Sequence, residues 1–426
     1  MTSKQRVRGR VLSERFFLCG LKIITIFTKS NLYIVMELST YFQPVSLDAD
    51  ALRDGDFYTN IASATQIYTR QGAFPDLEGV SLAVVGICDD SGSPHNKGCK
   101  DGPDEIRRFL YQLAVPTETL RMVDLGNIQP GNTPDDTRFA VTEVLYKLIE
   151  KNITVIILGG SQDYSFANYK AYEVLGRVVN VSSIDAMLDL GSDTNPLDNR
   201  NWISHIVAQQ PNFLFNFANI GYQTYFNGQS LVKLMDELGF DAYRLGVIQG
   251  DMVRAETLVR SADMVSVDIN CVRLSDAPGQ AQGSPHGFYG EELCRLARFA
   301  GMSDKLSAMG FYEYNPLYDR RGQTAHLLAH AIWYFIDGFC NRAADFPHRD
   351  KHNYKHFMVG LNDGDFEISF YKSKKSDRWW MEVPYNGERR EEYQRHLLVP
   401  CTYADYQQAQ QNEVPELWTK YYQRLN

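Results

Sequence analysis

The chain has 426 residues, of which 44% are hydrophobic and 22% charged, and these values are typical of a globular protein. Its formal net charge is -9, from 43 Lys and Arg against 52 Asp and Glu, which argues against a general nucleic-acid-binding surface. The seven cysteines stand singly, without a Cys-x-x-Cys pair for zinc or a redox dithiol, and this pattern predicts a reducing, cytoplasmic location.

The first 35 residues differ from the rest of the chain. Basic residues come first, and two apolar runs separated by Lys22 follow. A signal peptide has this order, but Lys22 interrupts the apolar core and no clear cleavage site follows. Lys22 and Lys29 also argue against a membrane span. Because a segment typical of a natural start begins at Met36, we expect residues 1–35 to be an upstream extension without a role in the fold.

Between residues 80 and 339, apolar runs of strand length alternate with amphipathic stretches of helix length. The runs predict strands at Leu82–Ile87, Leu120–Leu125, Ile153–Leu158, Val178–Ser183, Asn212–Ile220, Ala242–Leu245, Met264–Asp268 and Ser307–Tyr312. Continuous apolar strands suit a parallel sheet that is buried on both faces. The alternation predicts an α/β fold, a three-layer sandwich with a doubly wound parallel sheet of about eight strands. Helix Gln323–Cys340 is strongly apolar and should pack on the sheet.

Polar residues stand where three of these strands would end, which is where ligands bind in such folds. The segments are Leu158–Asp163, Ser183–Asp189 and Ser266–Asn270. An isolated Asp-x-x-x-Asp spacing is more often a turn feature, so the order of all three segments carries the weight. Together they resemble the motifs of the arginase, agmatinase and formimidoylglutamase superfamily, the ureohydrolases, which read roughly GGDH or GGGH, DAHxD and SxDxD. The resemblance implies an arginase-like fold.

The resemblance implies two manganese ions in relatives, but half of their ligands are replaced here. Asp185 and Asp268 match the residues that bridge the two ions. Asp189 matches a ligand of the first ion only, and Gln162 stands in place of that ion's His. The second ion has lost both of its private ligands, because a Met and an Asn replace them. These two replacements are Met187 and Asn270.

The chemistry of the replacements weakens the implied metal site. A thioether is a soft ligand that does not suit manganese, and an amide oxygen carries no negative charge. Two divalent ions that lie close together repel each other and need anionic bridges. We therefore expect at most one divalent cation, Mn or Mg, held by Asp185, Asp189 and Asp268 with an amide oxygen of Gln162 or Asn270.

Two further segments extend the resemblance. Gly98–Arg108 resembles the family's G-x-x-x-GP-x-x-IR segment, and Gly310–Pro316 resembles its E-V-N-P strand end. Within the second segment, Glu313 matches a glutamate that contacts substrate in relatives, which implies a pocket for a small polar or cationic, amidine-like ligand. A purely structural role of Glu313 stays open. His205 has no matching frame and is expected to be a surface or satisfied helical residue, and Cys271 a buried thiol near the pocket.

After residue 344 the composition changes to a tail that ordinary ureohydrolases lack. His348, His352 and His356 have the spacing of one helical face, but Pro347 and the intervening residues favour solvated histidines. Strand-like runs are predicted at Phe366–Tyr371 and Arg378–Val383, and the second contains two Trp. The aromatic residues predict that the tail packs on the main domain, or that it binds a protein partner or a second copy of the chain.

The sequence therefore predicts an extension at 1–35, an arginase-like domain at 36–343 and an aromatic-rich extension at 344–426. Two functions stay open. The first is a pseudoenzyme that has lost two-manganese hydrolysis and binds a small ligand or a protein. The second is a hydrolase of formimidoylglutamase type, which cleaves linear amidine C–N bonds with one metal or with unusual ligands. Neither reading includes nucleic acid or a membrane as a partner.

Overall fold

A ten-stranded sheet forms the centre of the molecule. The computed structural model describes residues 13–18, 21–28, 31–47, 59–347, 351–361 and 366–426. The strands of the large sheet are β4 (Phe42–Gln43), β5 (Thr65–Ile67), β6 (Leu82–Ile87), β7 (Met122–Ile128), β8 (Thr154–Leu158), β9 (Val179–Ile184), β10 (Leu214–Tyr222), β11 (Asp241–Arg244), β12 (Met264–Asp268) and β13 (Ala308–Tyr312). All eight predicted strands are confirmed, and the short strands β4 and β5 add to them.

The strand order is β11-β10-β9-β12-β13-β8-β6-β7-β4, with β5 also paired to β7. The pairs are parallel except for β4 with β7, which is antiparallel. The chain leads from β9 to β10 in one direction along the sheet and from β12 to β13 in the other, so the direction of winding reverses between the neighbouring strands β9 and β12. A crevice opens at such a switch point, at the carboxyl ends of the strands.

Helices cover both faces of the sheet and confirm the three-layer, doubly wound prediction. They are α1 (Gly102–Leu110), α2 (Pro134–Glu150), α3 (Tyr164–Val174), α4 (Trp202–Val207), α5 (Gln229–Glu237), α6 (Leu245–Gly250), α7 (Met252–Ser261), α8 (Gly290–Gly301) and α9 (Gln323–Cys340). Two apolar cores result, one with α1 and α6 to α9 and the other with α2 to α5. In β8, Ile156 and Leu158 face the first core, whereas Val155 and Ile157 face the second. Side chains alternate across a strand, and this explains the unbroken apolar runs.

The N-terminal segment forms a small sheet of its own. Its strands are β1 (Ser13–Leu18), β2 (Leu21–Thr28) and β3 (Asn31–Met36), and they pair antiparallel in chain order. This pairing does not test the expectation that residues 1–35 have no role in the fold, which stays a prediction. Among the helices of the described residues, none is long and apolar enough to cross a membrane.

The tail forms a second sheet of four antiparallel strands, together with three helices. The strands are β14 (Tyr354–Leu361), β15 (Phe366–Ser373), β16 (Trp379–Glu382) and β17 (Leu398–Cys401), and the helices are α10 (Arg390–Tyr393), α11 (Tyr403–Gln410) and α12 (Glu416–Leu425). Both strand predictions in the tail are confirmed. His356 lies in β14 and not on a helix, so a helical histidine site does not form, and His348 lies outside the described residues.

The tail packs on the amino ends of the large sheet. Val178 and Phe215, at the starts of β9 and β10, belong to the same apolar cluster as the tail residues. The Arg260 guanidinium lies 4.6 Å from the ring centre of Trp380 and donates to the carbonyl of Trp379. His396 stacks on Phe215 with the ring centres 4.3 Å apart. The tail therefore covers one end of the α/β domain with apolar contacts and buried polar bonds.

Truncation at residue 345 should leave an apolar patch on the α/β domain. Val178 and Phe215 are 8% and 9% exposed in the intact chain and would lose their cover. We expect the shortened protein to aggregate or change its number of subunits, and to melt several degrees lower than the full chain. Light scattering and thermal denaturation measure both effects. A truncated chain with unchanged solubility, subunit number and melting temperature would mean that the tail is an independent appendage.

His396 should make the stability of the docked tail depend on pH. Burial, and then the nearby charge of Lys305, lowers the pKa of His396 to about 3 from an ordinary value of 6.5. Below about pH 6.5 the unfolded chain binds this proton and the folded chain does not, so the free energy of unfolding falls by about 1.4 kcal/mol per pH unit until the folded pKa is reached. The variant His396→Gln keeps a donor for the carbonyl of Val178 and should lack this slope.

Urea denaturation of both proteins between about pH 5 and pH 7 measures the difference in slope. The variant His356→Gln, which replaces an exposed histidine of the same tail, controls for the loss of a histidine as such. Equal pH dependence of the wild-type protein and His396→Gln would show that this histidine is not kept neutral by the docked tail.

Candidate functional site

Four neighbouring strands bring the motif residues together. The order β9-β12-β13-β8 places the ends of these strands side by side. Asp185 follows β9, Asp268 ends β12, Glu313 follows β13, and Gln162 lies in the turn after β8. Since the strands are parallel, their carboxyl ends meet on one edge of the sheet. The prediction that the three motif segments lie at strand ends is confirmed.

The turn after β8 has no room for side chains at its glycines. A Cβ atom on Gly160 would lie 2.1 Å from the carbonyl oxygen of Asp89. Gln162, two residues after Gly160, is fully buried. Its Nε2 donates to Asp185 Oδ2 at 3.0 Å and to Ser266 Oγ at 3.2 Å. The amide nitrogen of Gln162 thus contacts the carboxylate that would bridge the metals in relatives.

Asn270 likewise donates hydrogen bonds to a retained aspartate, Asp268. Its backbone nitrogen and its Nδ2 both donate to Asp268 Oδ1 at 2.7 Å. The Oδ1 atom of Asn270 is buried and has no hydrogen-bond partner among the described residues. Both amides that replace family ligands therefore act as hydrogen-bond donors to the retained aspartates.

Asp189 is held from the helix layer. Trp202, at the start of α4, donates from Nε1 to Asp189 Oδ2 at 2.8 Å. Asp189 has a φ of 50°, in the left-handed region that few residues other than glycine adopt. Glu313 shares this property with a φ of 65°. Non-glycine residues in this conformation cluster at functional sites, where the surrounding structure holds them in place.

Glu313 is buried, and both oxygens of its carboxylate accept hydrogen bonds from protein donors. Oε1 accepts from Ser93 Oγ at 2.5 Å and from the backbone nitrogen of Gln162 at 2.9 Å. Oε2 accepts from Asn96 Nδ2 at 2.8 Å. Ser93 and Asn96 were not singled out in the sequence, although Asn96 lies directly before the Gly98–Arg108 segment. Glu313 thus fastens the loop after β6 to the end of β13.

A cavity of about 300 Å³ opens at this edge of the sheet. Its lining combines acids, amides, one arginine, one exposed histidine and several apolar groups. The lining residues are His95, Asn96, Ala186, Met187, Asp189, Asn199, Arg200, Phe226, Asp268, Asn270, Ala281, Gln282 and Glu313. The volume lies at the small end of the range for small-molecule sites, roughly 300–1,000 Å³. The candidate substrate contact Glu313 and three of the five candidate metal ligands line this cavity.

Burial of several acids in one place disfavours their charged forms. Burial raises the pKa of Asp189 to about 7, and the charge of Asp268 adds to the effect. Burial also raises the pKa of Asp185 and of Asp268 well above the ordinary range, and each is raised further by a neighbouring aspartate. The pKa of Glu313 is raised by burial as well. Carboxylates that share a buried site cannot all ionise without a counter-charge.

The residues present do not fit a pair of manganese ions. Among the residues that the structure describes, no group of three or more His, Cys, Asp and Glu side chains is placed to hold a metal ion. The amide nitrogens of Gln162 and Asn270 donate to Asp185 and Asp268, whereas an amide side chain that binds a cation must present its oxygen to the ion. Met187 offers only a thioether. Protein donors thus contact the carboxylates that would bridge the two metal ions in relatives.

Two other residues considered from the sequence lie outside the cavity. His205, in α4, is bonded through Nε2 to the carbonyl of Asn195 at 3.1 Å and lines a separate groove. Cys271 is fully buried, and burial raises its pKa well above the ordinary value of 9.0, so the thiolate is disfavoured. These observations agree with the expectation of a satisfied helical histidine and a buried thiol. Arg200 and Phe226, which do line the cavity, lie in loops without a recognisable pattern.

Comparisons with known proteins identify the family to which this fold belongs. The model of the arginase family matches residues 80–337. Formimidoylglutamase of Clostridium tetani is 24% identical over 281 residues, which cover 61% of this chain and 82% of that protein. Formimidoylglutamase of Staphylococcus aureus (strain JH9) is 26% identical over 271 residues, which cover 60% of this chain and 85% of that protein.

Two solved structures share the fold of the α/β domain. Formimidoylglutamase from Bacillus subtilis superposes with a TM-score of 0.61 at 17% identity, and the match covers 70% of this chain and 97% of that one. Trypanosoma cruzi formiminoglutamase with Mn²⁺ superposes with a TM-score of 0.59 at 19% identity, over 63% and 96% of the two chains. The family match, the strand order and the polar segments at the strand ends agree, and the chain belongs to the arginase family as a distant, formimidoylglutamase-like member.

Proposed function

We propose that this protein is a ligand-binding member of the arginase family that does not carry out two-manganese hydrolysis. The observation that carries the proposal is the direction of two hydrogen bonds. Gln162 and Asn270 donate to Asp185 and Asp268, the carboxylates that would bridge the metals in relatives. A carboxylate that accepts these bonds is stabilised without a cation, so the fold does not need metal to hold its acids together.

The cavity supports a small ligand in preference to a protein at this site. It retains buried acids and amides in a volume of about 300 Å³, which suits a small polar or cationic molecule. Hydrolysis in the family needs a hydroxide that the metal ions generate. In this chain, Met187 and Asn270 stand in place of the two ligands that would bind only the second ion. The rival function, a formimidoylglutamase-type hydrolase with one metal or unusual ligands, rests on the three retained aspartates and Glu313.

Manganese content and turnover decide between the two functions. We expect protein purified with excess manganese to contain fewer than two ions per chain and to release no urea or formamide from arginine, agmatine or formiminoglutamate at family rates. We also expect a chelator to leave the melting temperature unchanged, because protein donors already compensate the aspartates. Elemental analysis, product assays and thermal denaturation measure these three quantities. Two manganese ions per chain together with turnover would overturn the proposal.

The triple variant Gln162→His, Met187→His and Asn270→Asp should restore manganese binding. It returns an imidazole to two positions and a carboxylate to the third, and these are ligands that suit manganese. Elemental analysis after dialysis should show more manganese per chain than in the parent protein. The variant Met187→Leu, which removes the thioether without adding a ligand, is the matched control and should bind no more than the parent. A triple variant that gains no manganese would show that the positional match to the family motifs is wrong.

A further inference from the structure

The cavity carries a positive charge as well as its acids. Arg200, from the loop between β9 and α4, lines it together with Asp189 and Asp268. Arg200 Nη2 donates to Gln282 Oε1 at 2.7 Å, which is a neutral acceptor. Within the described ranges, no carboxylate lies at ion-pairing distance from this guanidinium. Since a guanidinium is charged at any physiological pH, one cation of the cavity has no anionic partner among the described residues.

The acids leave a place for a ligand donor. Both hydrogen bonds from Asn270 reach Oδ1 of Asp268. The other oxygen, Oδ2, receives no hydrogen bond from any residue in the described part of the chain. Asp268 is only 7% exposed, so this acceptor faces the cavity and little bulk water. A ligand that brings an N–H donor with a positive charge would satisfy it.

Apolar groups form the remaining wall. Met187, Phe226, Ala186 and Ala281 line the cavity beside the charged groups. The ring of Phe226 is itself fixed by an edge contact with Tyr225, with centroids 4.7 Å apart. A thioether and an aromatic ring attract methylene groups and do not attract water or a hydrated ion. The ligand should therefore contain an aliphatic segment.

We propose that the ligand is an aliphatic amino acid whose ammonium and carboxylate groups are separated by a short methylene chain. This inference rests on the proposed function, because it places an organic ammonium where a catalytic member of the family would hold metal. The ammonium binds Asp268 and Asp189, the methylene groups lie on Met187 and Phe226, and the carboxylate pairs with Arg200. Arg200 selects against diamines and divalent cations, since a second positive charge would approach an unpaired guanidinium.

Calorimetric titration with four probes of equal chain length tests the inference. The probes are ε-aminocaproate, hexylamine, caproate and hexamethylenediamine. We expect the affinity for ε-aminocaproate to be about tenfold or more above that for each other probe. Hexylamine and caproate each lack one charge pair, and hexamethylenediamine brings a second ammonium that Arg200 repels. The comparison uses only the wild-type protein, so it does not depend on how well any variant folds.

Variants then assign the two charge pairs. The variant Arg200→Gln should bind ε-aminocaproate about tenfold or more weakly than the wild-type protein does. Its affinity for hexylamine should be unchanged, because hexylamine has no carboxylate. The variant Asp268→Asn should bind both ε-aminocaproate and hexylamine more weakly, because both carry the ammonium group. The variant Arg320→Gln replaces an exposed arginine outside the cavity and should change the affinity for neither probe. A variant counts only if its melting temperature shows that it is folded.

Several results would overturn the inference. They are equal binding of ε-aminocaproate and hexylamine, no binding of any probe, or an Arg200→Gln variant that binds ε-aminocaproate as the wild-type protein does. Manganese content and turnover are measured on the same preparation. Two ions per chain with turnover would refute the proposed function, whereas a metal-poor, inactive protein that binds no probe would refute only the amino-acid ligand.

Discussion

The structure of the site depends on how the charge of several buried carboxylates is compensated. Asp185, Asp189, Asp268 and Glu313 lie together because β9, β12 and β13 are parallel neighbours that end on one edge of the sheet. Like charges in a low-dielectric site repel strongly. In relatives whose motifs are complete, two divalent ions are implied to balance these charges. Here amide, indole and hydroxyl donors contact these carboxylates, and burial raises the pKa of Asp185, Asp189 and Asp268.

Under the proposed function, neutral donors take the place of cations, and this changes what the cavity can do. A metal-generated hydroxide can attack an amidine carbon, whereas an amide N–H can only hold a carboxylate in place. The acids remain near the end of the sheet, however, and the cavity that they line also contains Arg200 and Phe226. The arginase fold of this chain therefore holds a shaped polar pocket at the carboxyl ends of its strands. Under the proposed function, this pocket binds a ligand and does not hydrolyse it by the two-manganese mechanism.

The two ends of the sheet have separate tasks. Motif residues and the cavity lie at the carboxyl ends, whereas the tail covers the amino ends through Val178, Phe215 and Arg260. An ion pair reinforces this contact, since Arg395 of the tail reaches the fully buried Asp263 of the α/β domain. Substitutions at the tail contact should therefore act on stability, and substitutions at the opposite end should act on binding. The tail aromatics that are predicted to need cover find it on the chain's own domain.

The sequence by itself determined the eight main strands, their parallel class and the positions of Gln162, Asp185, Asp268 and Asn270 at strand ends. It could do so because a sheet buried on both faces requires unbroken apolar runs, and a run ends where polar residues begin. Local patterns carry such information. The two short strands β4 and β5 were missed because two or three residues are too few to form a pattern.

Only the tertiary structure decided the strand order, the hydrogen-bond direction of the Gln162 and Asn270 amides, and the contacts of Glu313 with Ser93 and Asn96. Each of these depends on groups that lie far apart in the chain; Asn96 and Glu313, for example, are 217 residues apart. The left-handed backbone at Asp189 and Glu313 also has no signal in residue type, because packing around the site enforces it. Arg200 entered the cavity from a loop without a pattern, and its charge acquires meaning only from the acids that the fold places in the same cavity.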